Sequence, residues 1–439
     1  MPIIPSLRRA AFWLLDQVKG APVKTAYTVI KKIDEMDSSN PFIKEYQESE
    51  FCRLMKEARE NTEYYANYVG KKLENFPVIN KNDIRSKQNA FISKNYPKDK
   101  LFQMSTSGST GTPFVCYQNG NKKKRVNAEI IYYSEKVGYR LGENLSYIRT
   151  VVNQIKKSKL KQFIQNQKLV HCGKLNDKGI EEILNALRNT SNSGDITLLG
   201  YGSTYTAMCN YAKAKGFSKF DGCKVRGIIS GSDMLFDETR QSIGSLFDNA
   251  RVVSRYSNEE NGVLGQDEGI NNVFVINEAD YIVEITDDAG NRLPNGKLGH
   301  IVVTDLFNYA MPMIRYDTGD IGAIDIFNIN GRNKKCICNF SGRKVDVISD
   351  TSGNAISPHA ITNNMWSFPN IAQFQLIQKS QNEYKLVLNV SSDYSDVDKI
   401  IAVLKMQLGQ DSIITVEIVD EIPVLSSGKR RYIVNEFKK

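Results

Sequence analysis

LFQMSTSGSTGTPFVCY, residues 101–117, sets a loop of glycines and hydroxyl side chains between two apolar flanks. The flanks are short and rich in β-formers, which predicts strand, loop, strand. Glycine permits positive φ and close approach of the backbone. The loop can therefore turn N–H and O–H groups toward phosphate oxygens. It is not a P-loop, which needs Gly-Lys-Ser/Thr and a following helix. This loop holds no lysine, and a strand follows it. As an isolated motif it reads equally well as a flexible hairpin.

Outward from the loop, residues 120–139 predict a helix, with apolar Val126, Ile130, Ile131 and Val137 at helical spacing. Between 140 and 255, apolar runs alternate with helical patterns. Ile196–Leu199 precedes a helix over 203–215, and Val225–Ile229 precedes one over 237–248. That alternation predicts an α/β core with parallel strands. Residues 1–100 read as mostly helical and polar. Leu7, Ala10, Ala11, Leu14, Leu15 and Val18 form a helical stripe, read as the packed face of a first helix, with membrane-surface contact as the alternative. From 273 to 326 the pattern turns to repeated strands, with turn chemistry at Asp288–Asn291 and Asn295–Gly296. Beyond Gly342 a new unit begins. Gln373–Ile377 and Tyr384–Val390 read as strands, Asp396–Leu408 as an amphipathic helix and Ile414–Val419 as a further strand. The expectation is a large α/β N-terminal domain over 1–341, with mixed and parallel sheets, and a small mobile α+β C-terminal domain over 342–439.

Composition bounds the function. The aromatic share of 10% excludes disorder as a description of the whole chain. No apolar run approaches the roughly 20 residues of a membrane-spanning helix. A formal charge of +9 suits an anionic ligand. Its basic residues are dispersed, which argues against a nucleic-acid partner. The seven cysteines are scattered, and Ala10–Leu15 is too short for a secretory core, so reduced thiols in a cytoplasmic protein are expected. Cys336 and Cys338 read as alternate positions of a strand rather than a metal site. His171, His300 and His359 read as structural.

Three further segments carry chemistry. In Tyr316-Asp317-Thr318-Gly319-Asp320, after Arg315, a carboxylate behind a glycine turn can accept two hydrogen bonds from neighbouring hydroxyls, such as those of a ribose. Ser341-Gly342-Arg343-Lys344-Val345-Asp346 lies at the expected domain junction. Ser426-Ser427-Gly428-Lys429 could swing a lysine to an anionic centre. Each is ordinary alone.

In this order and spacing, the segments resemble the adenylate-forming superfamily of acyl-CoA synthetases, peptide-synthetase adenylation domains and luciferases. Within it, the chain looks most like the phenylacetate–CoA ligase family, including its branch in capsular-polysaccharide gene clusters. The resemblance implies that Thr106, Ser107, Gly108, Ser109, Thr110 and Gly111 bind the β- and γ-phosphates of ATP. Gly231, Ser232 and Asp233 resemble the adenine segment. Tyr256-Ser257-Asn258-Glu259-Glu260 resembles Tyr-Gly-x-Thr/Ser-Glu, so Tyr256 would stack on adenine and Glu260 would hold Mg²⁺. Asp320 would take the ribose hydroxyls, Arg343 the nucleotide across the junction, and Lys429 the catalytic lysine's role. Four positions depart: Phe114 stands where many relatives carry lysine, Ser257 replaces glycine, Glu259 replaces a hydroxyl residue, and Val345 replaces the first aspartate of the hinge. The implied reaction joins a small carboxylic acid to AMP and passes the acyl group to CoA, or to an amine or hydroxyl acceptor in surface polysaccharide synthesis. A non-catalytic nucleotide-binding relative is the remaining alternative. A homodimer is compatible with the resemblance.

Overall fold

The computed structural model describes residues 3–68, 72–106, 114–149, 166–172, 175, 177–270, 272–343, 348–353, 355–356, 361, 364–365, 368, 370–390, 394–423 and 431–437. The first hundred residues are helical, as the sequence predicts. They form α1 (Ile3–Val18), α2 (Pro22–Asp34), α3 (Pro41–Asn61), α4 (Lys81–Ser86) and α5 (Gln88–Phe91). Prolines open α2 and α3 at a position where the missing N–H costs nothing. Asn80 starts α4 with a capping box, accepting from Asn82 and Asp83 while the Asp83 side chain accepts from the Asn80 N–H.

Strands β1 (Phe102–Thr106) and β2 (Phe114–Gln118) pair antiparallel as a separate two-stranded ribbon, with Thr106 opposite Phe114. The glycine-rich loop at its tip, residues 107–113, lies outside the described residues. Helix α6 (Gly120–Glu135) follows, capped by Asn119, which accepts from the Lys122 N–H at 2.8 Å. It ends short of the expected 139 because Gly138 turns to positive φ.

The central sheet has eleven strands. One half contains β3 (Asn144–Arg149), β4 (Gln167–His171), β5 (Ile196–Gly200), β6 (Val225–Gly231) and β7 (Arg251–Asn258), parallel in the order β4-β3-β5-β6-β7. Helices α7 (Asp177–Ser191), α8 (Gly202–Lys215) and α9 (Asp237–Leu246) pack on it through Ile183, Leu187, Tyr205, Met208 and Ile243. The last of these stops two residues before the expected 248, where Asp248 and Asn249 adopt positive φ. The other half is antiparallel. It runs β7-β8-β9-β13-β12-β11-β10, from β8 (Gly262–Asp267), β9 (Phe274–Ile276), β10 (Tyr281–Thr286), β11 (Gly299–Asp305), β12 (Tyr316–Ile329) and β13 (Arg332–Arg343). The hand-over falls on β7, which pairs parallel with β6 and antiparallel with β8, and its register shifts between Tyr256 and Ser257. Bulges of this kind re-aim side chains and are common beside functional sites.

The small β14 (Ile348–Ser349) and β15 (Ala355–Ile356) pair with each other. A four-stranded sheet then forms from β16 (Gln373–Gln378), β17 (Glu383–Asn389), β18 (Ile413–Ile418) and β19 (Ile433–Asn435), in the order β18-β17-β16-β19. Helix α10 (Val397–Leu408) buries Ile400, Leu404 and Leu408 on it. The architecture is thus a large α/β domain with a mixed sheet and a small C-terminal α+β domain. The short β19, parallel to β16, adds a strand that the sequence reading missed. The Tyr432 ring just before it lies 5.7 Å from Phe236 of the large domain and 5.2 Å from Phe374 of its own.

One expectation is corrected. The apolar stripe of α1 faces outward. Leu7 is 63% exposed, Leu14 66% and Val18 78%. Phe12 and Trp13 pack against the α2–α6 core instead, and buried Asp16 accepts from the Val23 and Lys24 N–H groups at the start of α2. Helical spacing marks a stripe but not which side the body lies on. Here the aromatic pair and the capping carboxylate claim the inner face.

The seven cysteines form no disulfide. Cys52 on α3 is exposed and Cys209 is half-buried, while Cys116, Cys172, Cys223, Cys336 and Cys338 are buried. Cys336 and Cys338 lie two apart on β13 in one apolar cluster with Val275 and Ala323, the strand placement expected of them.

Candidate active site

The site is built from the carboxyl ends of β6 and β7, the root of the β1–β2 ribbon and the start of β12. Tyr256, at the β7 bulge, is buried with its ring 4.8 Å from Phe340. Its hydroxyl donates to Asp320 Oδ2 at 2.7 Å and lies 3.2 Å from Thr318 Oγ1. Burial first, and the Asp320 charge next, push the phenol well above its ordinary value, so it stays a proton donor to the carboxylate. Gly319 takes positive φ between Thr318 and Asp320, and its N–H donates to Asp317 Oδ1 at 2.8 Å. The turn sets the half-buried Asp320 beside the Tyr256 hydroxyl.

Glu260 and Glu259 part company. Glu260 is 1% exposed, whereas Glu259 is exposed. Tyr316 donates to Glu260 Oε1 at 3.1 Å, and Gln118 of β2 donates to its backbone carbonyl at 2.8 Å. The phenyl ring of Phe114, the first described residue after the loop, stacks on Tyr316 at 6.4 Å. Ribbon, carboxylate and β12 are therefore held as one unit.

Sequence reasoning missed Lys81. Its ammonium stands 2.7 Å from Glu260 Oε1 and 5.4 Å from the Phe114 ring centroid, and Arg85, one turn later, lies 6.0 Å from the same ring. The Asn80 capping box fixes Lys81 as the first residue of α4, pointing at the ribbon. The only sequence signal was the loop's lack of lysine, which leaves a phosphate site short of a cation. Residues 1–100 offered no motif by which to find the replacement.

The three-residue adenine segment divides. Gly231 ends β6, and Ser232 follows in the left-handed region at φ 73°. The Asp233 carboxylate turns away to cap α8, accepting from the Gly202 N–H and from the Ser203 N–H at 3.1 Å. An aspartate at a helix start is stabilised by free N–H groups and the helix dipole. Asp233 thus has a structural duty that accounts for its side chain.

Arg343 ends β13 with its backbone opposite Asp320. Thr106 ends β1. Ser107, Gly108, Ser109, Thr110, Gly111, Val345 and Lys429 lie outside the described residues, as does His359. Arg315 precedes the turn at φ 54°, and its guanidinium donates to Glu284 at 3.2 Å, the Phe76 carbonyl at 3.0 Å and the Gly290 carbonyl at 2.8 Å. That clamps the N-terminal helices to the antiparallel half of the sheet. His300 sits on β11 between Asp288 and Asp317, at 3.0 and 3.1 Å.

Glu260 fits a magnesium ligand. Both of its side-chain contacts fall on Oε1, leaving Oε2 without a hydrogen-bond partner among the described residues. Magnesium in nucleotide sites is commonly held by one or two carboxylates plus substrate phosphates.

Comparison with known proteins supports this architecture. Residues 348–436 match the family model of the CapK C-terminal domain. Protein CapK of Staphylococcus aureus is 25% identical over 447 residues, spanning 96% of this chain and 94% of that protein. A solved 2-hydroxyisobutyryl-CoA ligase, in the postadenylation state in complex with R3-HIB-AMP, has a TM-score of 0.71 at 15% identity, covering 89% of each chain. ATP-bound MatB from Rhodopseudomonas palustris has a TM-score of 0.56 at 17% identity, over 77% of this chain and 68% of that one. The chain has the adenylate-forming fold and is a distant homologue of CapK. No helix among the described residues is long and apolar enough to cross a membrane.

Proposed function

We propose that the protein activates a carboxylic acid with ATP and passes the acyl group from the acyl-adenylate to CoA. The observation that carries this is the meeting of the Tyr256–Asp320 pair and the Lys81–Glu260 pair at the root of the β1–β2 ribbon. The fold adds support, since it is that of a CoA ligase solved with an acid–AMP and of ATP-bound MatB.

The residues divide the work by charge. Asp320 holds the ribose, and the Gly231–Ser232 backbone and the Tyr256 ring border the adenine. Thr106 and the loop through Gly111 cradle the β- and γ-phosphates. Glu260 through Oε2 would hold Mg²⁺, which supplies positive charge against the triphosphate. Lys81 supplies from α4 the cation that many relatives carry at position 114. It stands 2.7 Å from Glu260 and would turn to the phosphates of bound ATP. Arg343 reaches the nucleotide from the domain junction, and Lys429 neutralises the reacting centre.

The acid's carboxylate oxygen attacks the α-phosphorus, the bond to the β-phosphate oxygen breaks, and pyrophosphate leaves. Both reactants are anions, so placing cations and excluding water lowers the barrier more than any proton transfer would. The thiolate of CoA then attacks the acyl carbonyl, having lost its proton, and AMP leaves with the electrons of the broken C–O bond. The test is acid-dependent exchange of labelled pyrophosphate into ATP, with Lys429→Ala as control. Exchange that vanishes in the control supports adenylation. CoA-dependent release of AMP then separates a thiol acceptor from an amine or hydroxyl. ATP binding without exchange for any acid would favour the non-catalytic reading, and absence of ATP binding would refute the site.

A further inference from the structure

The parallel half of the sheet has a topological switch point. From β3 the chain passes to β4 on one side, and β5 lies on the other. Where neighbouring strands send their connections in opposite directions, a crevice opens at their carboxyl ends, and α/β sheets bind ligands there. In this chain, β3 ends at Arg149 and β5 ends at Gly200, with Tyr201 next.

Two side chains of β3 face that crevice. Ile148 goes into the core beneath α7 and α8, so Tyr147 and Arg149 take the opposite face. The Arg149 guanidinium lies 5.1 Å from the centroid of the Tyr147 ring. Burial raises the phenols of both Tyr147 and Tyr201, and in both the Arg149 charge opposes the rise. The Glu259 charge raises the Tyr147 phenol further, and the Asp233 charge that of Tyr201.

Arg149 differs from most other enclosed arginines. Arg125 has Asp280, Arg240 has Asp267 and Arg315 has Glu284. Arg149 has no carboxylate in salt-bridge range among the described residues, and its Nε is buried with no hydrogen-bond acceptor there. A desolvated donor left unmatched is costly, and a guanidinium is shaped to take a carboxylate through two parallel bonds. On the adenylation reading the acid's reacting carboxylate faces the α-phosphate, so the partner of Arg149 would be a different anion.

We propose that Arg149 binds a second anionic group of the acid, so that the substrate is a dicarboxylic or otherwise doubly charged acid. This rests on the adenylation reading above. Tyr147, whose ring stands beside the guanidinium, offers a phenol donor to the same group. A singly charged acid with an apolar tail would leave the buried Arg149 Nε unmatched, so the site would select against it.

Calorimetry with the full-length protein, Mg²⁺ and a non-hydrolysable ATP analogue tests the proposal. The probes are malonate, succinate and phthalate, each beside its monoamide, which keeps the shape and removes one charge. At least one diacid is expected to bind roughly ten- to a hundredfold more tightly than its monoamide. Arg149→Leu should abolish that preference while leaving the affinity for the ATP analogue unchanged, and Arg149→Lys should restore part of it. Failure of every diacid to out-bind its monoamide overturns the proposal, and so does a preference that Arg149→Leu leaves intact. Loss of binding by the ATP analogue in the unaltered protein strikes the adenylation reading instead.

Discussion

The Lys81 ammonium stands 2.7 Å from Glu260 and, on the proposed reading, would also serve the ATP phosphates, so its removal separates the two roles. Lys81→Met is expected to lower pyrophosphate exchange on the order of 10²-fold, as for loss of one preorganised charge donor. Glu260→Gln should instead shift the Mg²⁺ dependence of exchange to higher concentration, measured by titrating the metal at saturating ATP. Tyr256→Phe removes the 2.7 Å bond to Asp320 and should raise the KM for ATP by roughly tenfold, the worth of a charge-assisted hydrogen bond. Burial holds the Tyr256 phenol protonated well above its ordinary value of 10.0. The alkaline fall of exchange therefore belongs to another group, and a pH profile of Tyr256→Phe should keep its alkaline limb where the unaltered protein has it.

Among the elements, α8 owes its start to Asp233, whose carboxylate serves Gly202 and Ser203. Asp233→Ala is expected to lower unfolding stability by about 1–2 kcal/mol in urea, as other caps do. If the side chain instead gripped adenine, the KM for ATP would rise with no loss of stability. The strands and helices of residues 101–255 were legible because their apolar runs alternate at the period of each element. The hairpin at 101–118 and the turn before Asp320 were legible through glycine and hydroxyl spacing. Lys81 was not, since its partner Glu260 lies far along the chain and no local pattern marks a lysine on a polar helix. The outward face of α1 was hidden for a related reason. Periodicity reports that a stripe exists, and only the packing of Phe12 and Trp13 shows which side is covered. The side-chain role of Asp233 was hidden because it depends on where α8 begins.

For the molecule as a whole, the C-terminal unit carries its own core. Ile348, Phe374, Leu386, Leu404 and Ile433 belong to one buried cluster drawn entirely from that unit. Residues 342–439 expressed alone should fold, giving a dispersed amide spectrum and a cooperative thermal transition; a collapsed spectrum would show that the domain needs the Phe236 contact. The distribution of sulfur has a practical outcome. Burial pushes the thiols of Cys209 and Cys336 up to about 12 and that of Cys223 up to about 11. Thiols so protonated are poor nucleophiles toward maleimides at neutral pH, whereas Cys52 stands exposed on α3. Met406 on α10 is 70% exposed. Met406→Cys in the otherwise native chain would therefore create a two-fluorophore pair spanning both domains, and energy transfer between the dyes would report whether the small domain moves during turnover, with the native cysteines left in place.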